Sequence, residues 1–327
     1  MKRISVLTLV MLCMTLLGQS QTTEEFKPGG KPFMTIFSNY HTKVSDGNSA
    51  SAFELTRLYL GYDYKFSKNF SAKATIDIGD PGVGGLQMTA YVKNAFATYK
   101  LDKLSVNFGL ISTTQFKVQE DAWGYRYLAK SFQDEYKFNA SADLGISVAY
   151  KFSDFVSADV IVANGEGYKK LQADSVVRTG FGVTVSPVEK LTGRVYYDFS
   201  SKEQTLSSLA TFVGYAGDKF SVGAEYNQQF NNGFKENHDL NGASVYATVT
   251  ASKKVKVFGR YDNLSSNKLT GETEKWNLSK NGELFIAGVE YAPVKGVKVA
   301  PNFQGWSPAA GSQDFTSTFI LNCEFKF

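Results

Sequence analysis

Charged side chains recur at every second position along much of this chain, each set between apolar neighbours. Asp63 and Lys65 alternate with Tyr62, Tyr64 and Phe66; Lys73 and Asp77 alternate with Ala74, Ile76 and Ile78; Arg194 and Asp198 alternate with Val195, Tyr197 and Phe199. At period two the charges fall on one side of an extended segment and the apolar residues on the other. Charges arranged that way pair across neighbouring strands or bias what moves along a wet surface. Bond-breaking chemistry finds little to work with. A hydrolase usually recruits a histidine as general base, and the chain has only His41 and His238, both in expected loops and neither near a G-x-S-x-G elbow. No cofactor, nucleotide or metal site is expected, because Gly82-Val83-Gly84-Gly85 lies in a loop with no helix to follow.

The amino terminus reads as an export signal occupying 1–20. Met1-Lys2-Arg3 is basic, 4–17 is apolar but short for a span of ~20 residues, and Gly18-Gln19-Ser20 supplies small residues for cleavage. Cys13 follows Leu12, where a lipobox needs a small residue. Removing Lys2 and Arg3 takes the formal charge from +4 to about +2 (4 − 2), so nucleic acid is not an expected partner. Only Cys323 survives cleavage, which excludes an internal disulfide.

The elements that position these charges are strands. The periodicity predicts them at 33–40, 53–66, 70–79, 87–100, 104–112, 143–152, 155–164, 176–186, 190–200, 205–216, 218–228, 240–251, 253–263, 282–292, 295–305 and 316–327. That makes sixteen, with 21–32 as a short leading periplasmic segment; poor alternation near 33, 87 and 205 leaves fourteen or eighteen open. Tight turns at 67–69, 101–103, 153–154, 187–189, 217, 252 and 293–294 alternate with longer connections at 41–52, 80–86, 113–142, 165–175, 229–239, 264–281 and 306–315. Strands this long exceed the usual five or six residues of soluble sheets and suit the roughly nine to eleven of a tilted membrane strand. No later apolar run approaches a membrane helix, so the expected fold is all-β: a transmembrane up-and-down antiparallel barrel spanning 33–327, its apolar face on outer-membrane lipid. Aromatics such as Phe66, Phe70, Phe152, Phe155, Phe220 and Tyr291 beside the tight turns, and Tyr40, Phe53, Phe230, Trp306 and Phe315 beside the long loops, predict two interfacial girdles.

A barrel of sixteen strands is too wide for side chains to fill and leaves an aqueous channel. The polar faces then bring Arg57, Lys73, Asp77, Asp143, Arg178, Arg194, Asp198, Arg260 and Asp262 inward, nearly balanced in sign with a slight basic surplus that favours anions weakly. The longest connection, 113–142, carries Trp123, Tyr125, Arg126, Tyr127, Lys130, Asp134, Glu135 and Lys137, too aromatic for disorder. A short amphipathic helix over 123–138, packed on the inner wall, is the bland alternative for it.

The stretch Asp121-Ala122-Trp123-Gly124-Tyr125-Arg126-Tyr127, leading into Ser141-Ala142-Asp143-Leu144-Gly145, resembles porins of the phosphate-selective porin O/P superfamily found in outer membranes of Bacteroidetes, which are Gram-negative. The terminal strand with Phe319, Leu321, Phe325 and Phe327 resembles the signal that outer-membrane barrels present to the barrel assembly machinery. The resemblance implies a porin for passive diffusion of small hydrophilic solutes or ions, a homotrimer, and a third outer loop folded into the lumen with Trp123, Tyr125, Arg126, Tyr127, Lys130, Asp134, Glu135 and Lys137 at the constriction. Near-neutral inward charge departs from the arginine ladder and lysine cluster of phosphate-selective members. A receptor or adhesion barrel with an occluded lumen is the other reading, since loops such as Asn231-Asn232-Gly233 suit a binding tip as well as a solvated one.

Overall fold

The computed structural model describes residues 26–79 and 88–327, so the export signal, its cleavage point and the glycine run at 82–85 lie outside the described residues. Among these residues sixteen strands close into one antiparallel barrel. In chain order they are β1 (Gly29–Ser45), β2 (Asn48–Lys65), β3 (Phe70–Gly79), β4 (Thr89–Leu101), β5 (Leu104–Ser112), β6 (Ala142–Lys151), β7 (Val156–Ala163) and β8 (Arg178–Val185). The second half holds β9 (Leu191–Ser201), β10 (Thr205–Ala216), β11 (Phe220–Phe230), β12 (Leu240–Thr250), β13 (Val255–Ser266), β14 (Gly282–Tyr291), β15 (Val297–Pro308) and β16 (Thr316–Lys326). Each strand pairs with the next, and β1 closes on β16 from Thr35 opposite Lys326 to Val44 opposite Ser317. Closure satisfies every ladder without leaving an edge, which is the condition for a sheet surrounded by hydrocarbon.

The two-residue period sorts side chains as expected. On β9, Val195, Tyr197 and Phe199 are exposed on the outside while Arg194, Tyr196, Asp198 and Ser200 are buried on the inside. Turns at one end hold two to five residues (66–69, 102–103, 152–155, 186–190, 217–219, 251–254 and 292–296). At the other end lie the connections 113–141, 164–177, 231–239, 267–281 and 309–315 and the brief 202–204.

Several expectations change. The loop predicted at 41–52 is strand: β1 and β2 run on to a hairpin whose two turn residues, Asp46 (φ 50°) and Gly47 (φ 68°), take the left-handed conformation of a primed turn. His41 therefore lies within β1, not in a loop, with Nδ1 3.0 Å from Asn39 Oδ1. The first strand begins at Gly29, four residues before the predicted 33. Trp306 shares the inward parity of Gln304 and Asn302 and faces Tyr136 at 6.4 Å, so it does not belong to an outer girdle. The weak alternation near 205 also has a cause. The inward side of β10 carries Leu206, Ala210 and Phe212 in place of charges, and these are buried beneath other parts of the chain.

Ala210 packs with Ile111, Ile161 and Tyr196 of the wall, and Phe212 is covered by the connection 113–141. This connection contains two short helices, α1 (Lys117–Trp123) and α2 (Phe132–Glu135), rather than the single helix over 123–138. Gly124 ends α1 in the left-handed conformation (φ 71°), where a residue with a Cβ is strained.

Candidate functional site in the barrel lumen

The inner wall is not uniformly polar. Phe37 (β1), Phe212 (β10), Tyr246 (β12), Phe258 (β13), Ile286 (β14) and Ala300 (β15) form an apolar patch inside the barrel, and Trp123, Tyr125 and Tyr127 of the connection 113–141 pack onto it. The Trp123 ring meets Tyr246 edge-on at 5.6 Å and Phe258 at 6.3 Å, while Tyr125 lies 4.5 Å from Phe258. Phe132 and Phe138 fill a second patch with Leu240 and Leu264. Burial of this apolar surface is the driving force that holds the segment to the wall.

Polar contacts fix its register. Arg178 Nη2 donates to the Phe138 carbonyl at 3.1 Å and to Asp198 at 2.8 Å. Arg194 donates to the Thr114 carbonyl at 2.9 Å and to Asp159 at 2.7 Å. Arg260 donates through Nε to Asp262 at 2.8 Å and through Nη1 to the Lys130 carbonyl. Each guanidinium thus bridges a wall carboxylate and a carbonyl of the connection. Tyr127 donates to Glu290 at 2.9 Å and Tyr246 to the Gln119 carbonyl at 3.1 Å. Burial first, and then the Glu290 charge, hold the Tyr127 phenol far above its ordinary value, so it stays a neutral donor. Burial likewise pushes Tyr125 up to about 12.

Arg178, Arg194, Asp198, Arg260 and Asp262, expected to line the passage, are therefore tie points. Asp143 has the same task, accepting from Leu144 N at 2.8 Å and Gly165 N at 2.6 Å. Arg57 donates to both oxygens of Asp77 at 3.0 and 3.1 Å, and Tyr168 of the connection 164–177 donates to the same carboxylate at 2.9 Å. Lys73 is half-buried, 3.2 Å from Asp63 and 4.3 Å from the Phe33 ring.

Of the residues expected at the constriction, Trp123, Tyr125 and Tyr127 are buried against the wall, and Lys130 is fixed there by its carbonyl. Glu135 and Lys137 are exposed. Arg126 and Asp134 keep partial exposure inside the barrel: Arg126 lies 3.7 Å from Glu120 and 3.5 Å from Asp134. Phe37 of β1 meets both Tyr59 of β2 at 5.8 Å and Tyr127 of the segment at 6.3 Å, so this part of the segment passes beside β2. Around Tyr59 gather Tyr91 and Lys93 with Tyr168 and Lys169. Lys93 Nζ is 3.4 Å from the Tyr59 hydroxyl and 4.7 Å from its ring, and Lys169 Nζ is 4.5 Å from the Tyr91 ring. Sequence periodicity misses Tyr59, Tyr91 and Glu120, because the apolar bodies of the tyrosines match neither an inward charge nor a lipid-facing side chain. Among the described residues no group of three or more His, Cys, Asp or Glu could hold a metal ion.

At the level of sequence no protein-family model matches the chain, and no curated protein does. Solved structures do. The chain is similar to OprB of Pseudomonas putida at 10% identity and a TM-score of 0.73, covering 91% of this chain and 94% of that one. It is also similar to the anion-selective porin from Comamonas acidovorans (10%, 0.67, 92% and 100%) and to the outer membrane channel DcaP of Acinetobacter baumannii (11%, 0.66, 94% and 100%). This is the fold of an outer-membrane barrel. Identities so low carry the architecture only, and they leave the phosphate-selective superfamily as a resemblance in the residues quoted above.

Proposed function

We propose that this chain is a porin of the bacterial outer membrane. It passes small hydrophilic solutes and ions by diffusion through a lumen narrowed by 113–141, with a weak preference for anions. The observation that carries the reading is that segment itself: about thirty residues laid along the inside of a closed barrel, held by three guanidinium clamps and an apolar patch. A barrel serving only as a scaffold for surface loops gains nothing from so much inward chain, whereas a channel gains a filter. The passage is bounded by Arg126, Glu120 and Asp134 on the segment and by Arg57 and Lys93 on the wall, with Asp77 buried behind Arg57, so that among these described residues three cations stand beside two partly exposed carboxylates. A ring of that sign tunes selectivity modestly. The apolar exterior, including Phe319, Leu321, Phe325 and Phe327 at the end of the chain, suits lipid and recognition by the assembly machinery. A homotrimer follows from the resemblance. Reversal potential across a planar bilayer under a potassium chloride gradient tests the reading: an ohmic channel with a small shift toward the chloride potential supports it, and a purified, folded barrel that carries no current overturns it.

A further inference from the structure

Resting on the channel reading, the cluster on β2–β4 can be assigned a solute class. Two irregularities in the ladder converge there. The pairing of β1 with β2 slips between Phe37 and Ser38, leaving Thr56 as the extra residue just before Arg57; the pairing of β3 with β4 slips between Thr75 and Ile76, leaving Lys93 as the extra residue between Val92 and Asn94. A bulge re-aims a side chain that strict alternation would have placed elsewhere. Val92 is 53% exposed on the outer face and Asn94 is buried inside; strict alternation from Asn94 would send Lys93 outward, and the extra residue lets both Lys93 and Asn94 turn inward. With it, Lys93 reaches Tyr59 inside the barrel.

The site so built has a defined character. Three tyrosines, Tyr59, Tyr91 and Tyr168, gather with two ammonium groups, Lys93 and Lys169, placed over ring faces at 4.5 to 5.9 Å. Tyr91 and Tyr168 meet edge-on at 6.4 Å. Among the described residues Lys93 has no carboxylate partner within ion-pair distance, its polar contact being the Tyr59 hydroxyl. Asp77, the nearby carboxylate, is fully buried and takes hydrogen bonds from Arg57 and Tyr168, so its charge is spent within the wall. Lys93 thus sets positive charge beside the Tyr59 and Tyr168 rings. Inorganic phosphate would use the charge and leave the rings idle.

We propose that this cluster is a transient binding station for small carboxylates with a flat apolar body, the carboxylate on Lys93 and the body against the tyrosines. Recognition of this kind needs few polar groups on an aromatic lining. The test uses the full-length protein in planar bilayers, with benzoate, acetate or inorganic phosphate added to potassium chloride on one side. Benzoate is expected to reduce the current saturably, at a half-blocking concentration about tenfold below that of acetate or phosphate, a factor that corresponds to one favourable contact. Lys93→Gln and Tyr91→Leu should each raise the benzoate value several-fold, whereas Tyr168→Phe keeps the ring and should leave the preference in place. Lys93→Arg preserves the charge and should retain block; it serves if Lys93→Gln does not fold. Equal block by the three anions, a preference for phosphate, or block unchanged in Lys93→Gln and Tyr91→Leu overturns the proposal while the ohmic current still supports the channel. Absence of any current removes the channel reading instead.

Discussion

Replacing Trp123 by Ala isolates the force that keeps 113–141 against the wall. Trp123 is 2% exposed, touches Tyr125, Tyr246 and Phe258, lies 5.0 Å from the Arg260 guanidinium, and donates through Nε1 to the Ala129 carbonyl at 3.0 Å. Burying a ring of this size removes ~150–250 Å² from water, worth roughly 4–6 kcal/mol at ~25 cal/mol per Å². A detached segment retains part of that burial, so about 3–5 kcal/mol is the working loss, as for large aromatic truncations in cores. The guanidinium clamps remain, each hydrogen bond contributing about 1 kcal/mol net. A segment docked by a few kcal/mol then moves from almost always closed to detached for a large fraction of the time, since each ~1.4 kcal/mol is a tenfold change. Single-channel recording should show Trp123→Ala switching to levels above the wild-type current, and Trp123→Phe should restore most of the single level. The barrel itself should stay folded in gel-shift assays on heating, because the ladders are untouched. One steady level identical to wild type would refute the argument that aromatic burial holds the segment.

Three further outcomes follow from other parts of the molecule. Arg126→Ala leaves Glu120 and Asp134 without their shared cation; with ~0.5–1 kcal/mol at stake for a passing ion, the anion-to-cation permeability ratio should fall about two- to fivefold, and an unchanged reversal potential and unit current would remove Arg126 from the constriction. Val195 is 53% exposed on the outer face of β9, so Val195→Lys should cost roughly 2–4 kcal/mol if that face meets the bilayer midplane, read as a lower urea midpoint in liposomes; no change would place β9 outside the membrane. The Lys202 hydrogen bond, followed by the Val176 amide, holds Asp174 below the usual carboxylate range. A depressed value means that the contact stabilises the connection 164–177 fully above the ordinary carboxylate pKa of about 4 and is lost as pH falls through the lowered value. Amide protection there, corrected for intrinsic exchange, should hold from neutral pH to about 5 and decline below about 4, and a decline beginning near neutrality would contradict the assignment.

Much of the architecture was legible because strand period and turn length are local properties. Lys73, Asp77, Arg194 and Asp198 sit inside, as their parity requires. The first outer connection was misread because the polar run around His41 and Ser51 resembles a solvated loop, although Asp46-Gly47 is itself a strong hairpin signal. The inward charges could be read as inward but not as clamps, since what Arg178, Arg194 and Arg260 hold are carbonyls far away in sequence. Phe212 of β10 and the rings of Phe37 and Phe258 left only a trace, a strand that alternates badly, because their partner is another inward segment rather than lipid. The bulge in β4 leaves only the poor alternation near 87 and the one in β2 only a change of apolar phase between Leu55 and Leu58, so the arrangement of Tyr59, Tyr91 and Lys93 emerges only in three dimensions.

The central claim is that water fills this barrel and that 113–141 narrows it. Unit current of the wild type, measured beside a variant in which residues 117–134 are replaced by a short Gly-Ser linker, tests both halves in one bilayer experiment. A steady ohmic wild-type current that grows in the shortened variant is the predicted result. Equal currents would show that the segment does not set the width, and silence from both folded proteins would show that the lumen does not conduct.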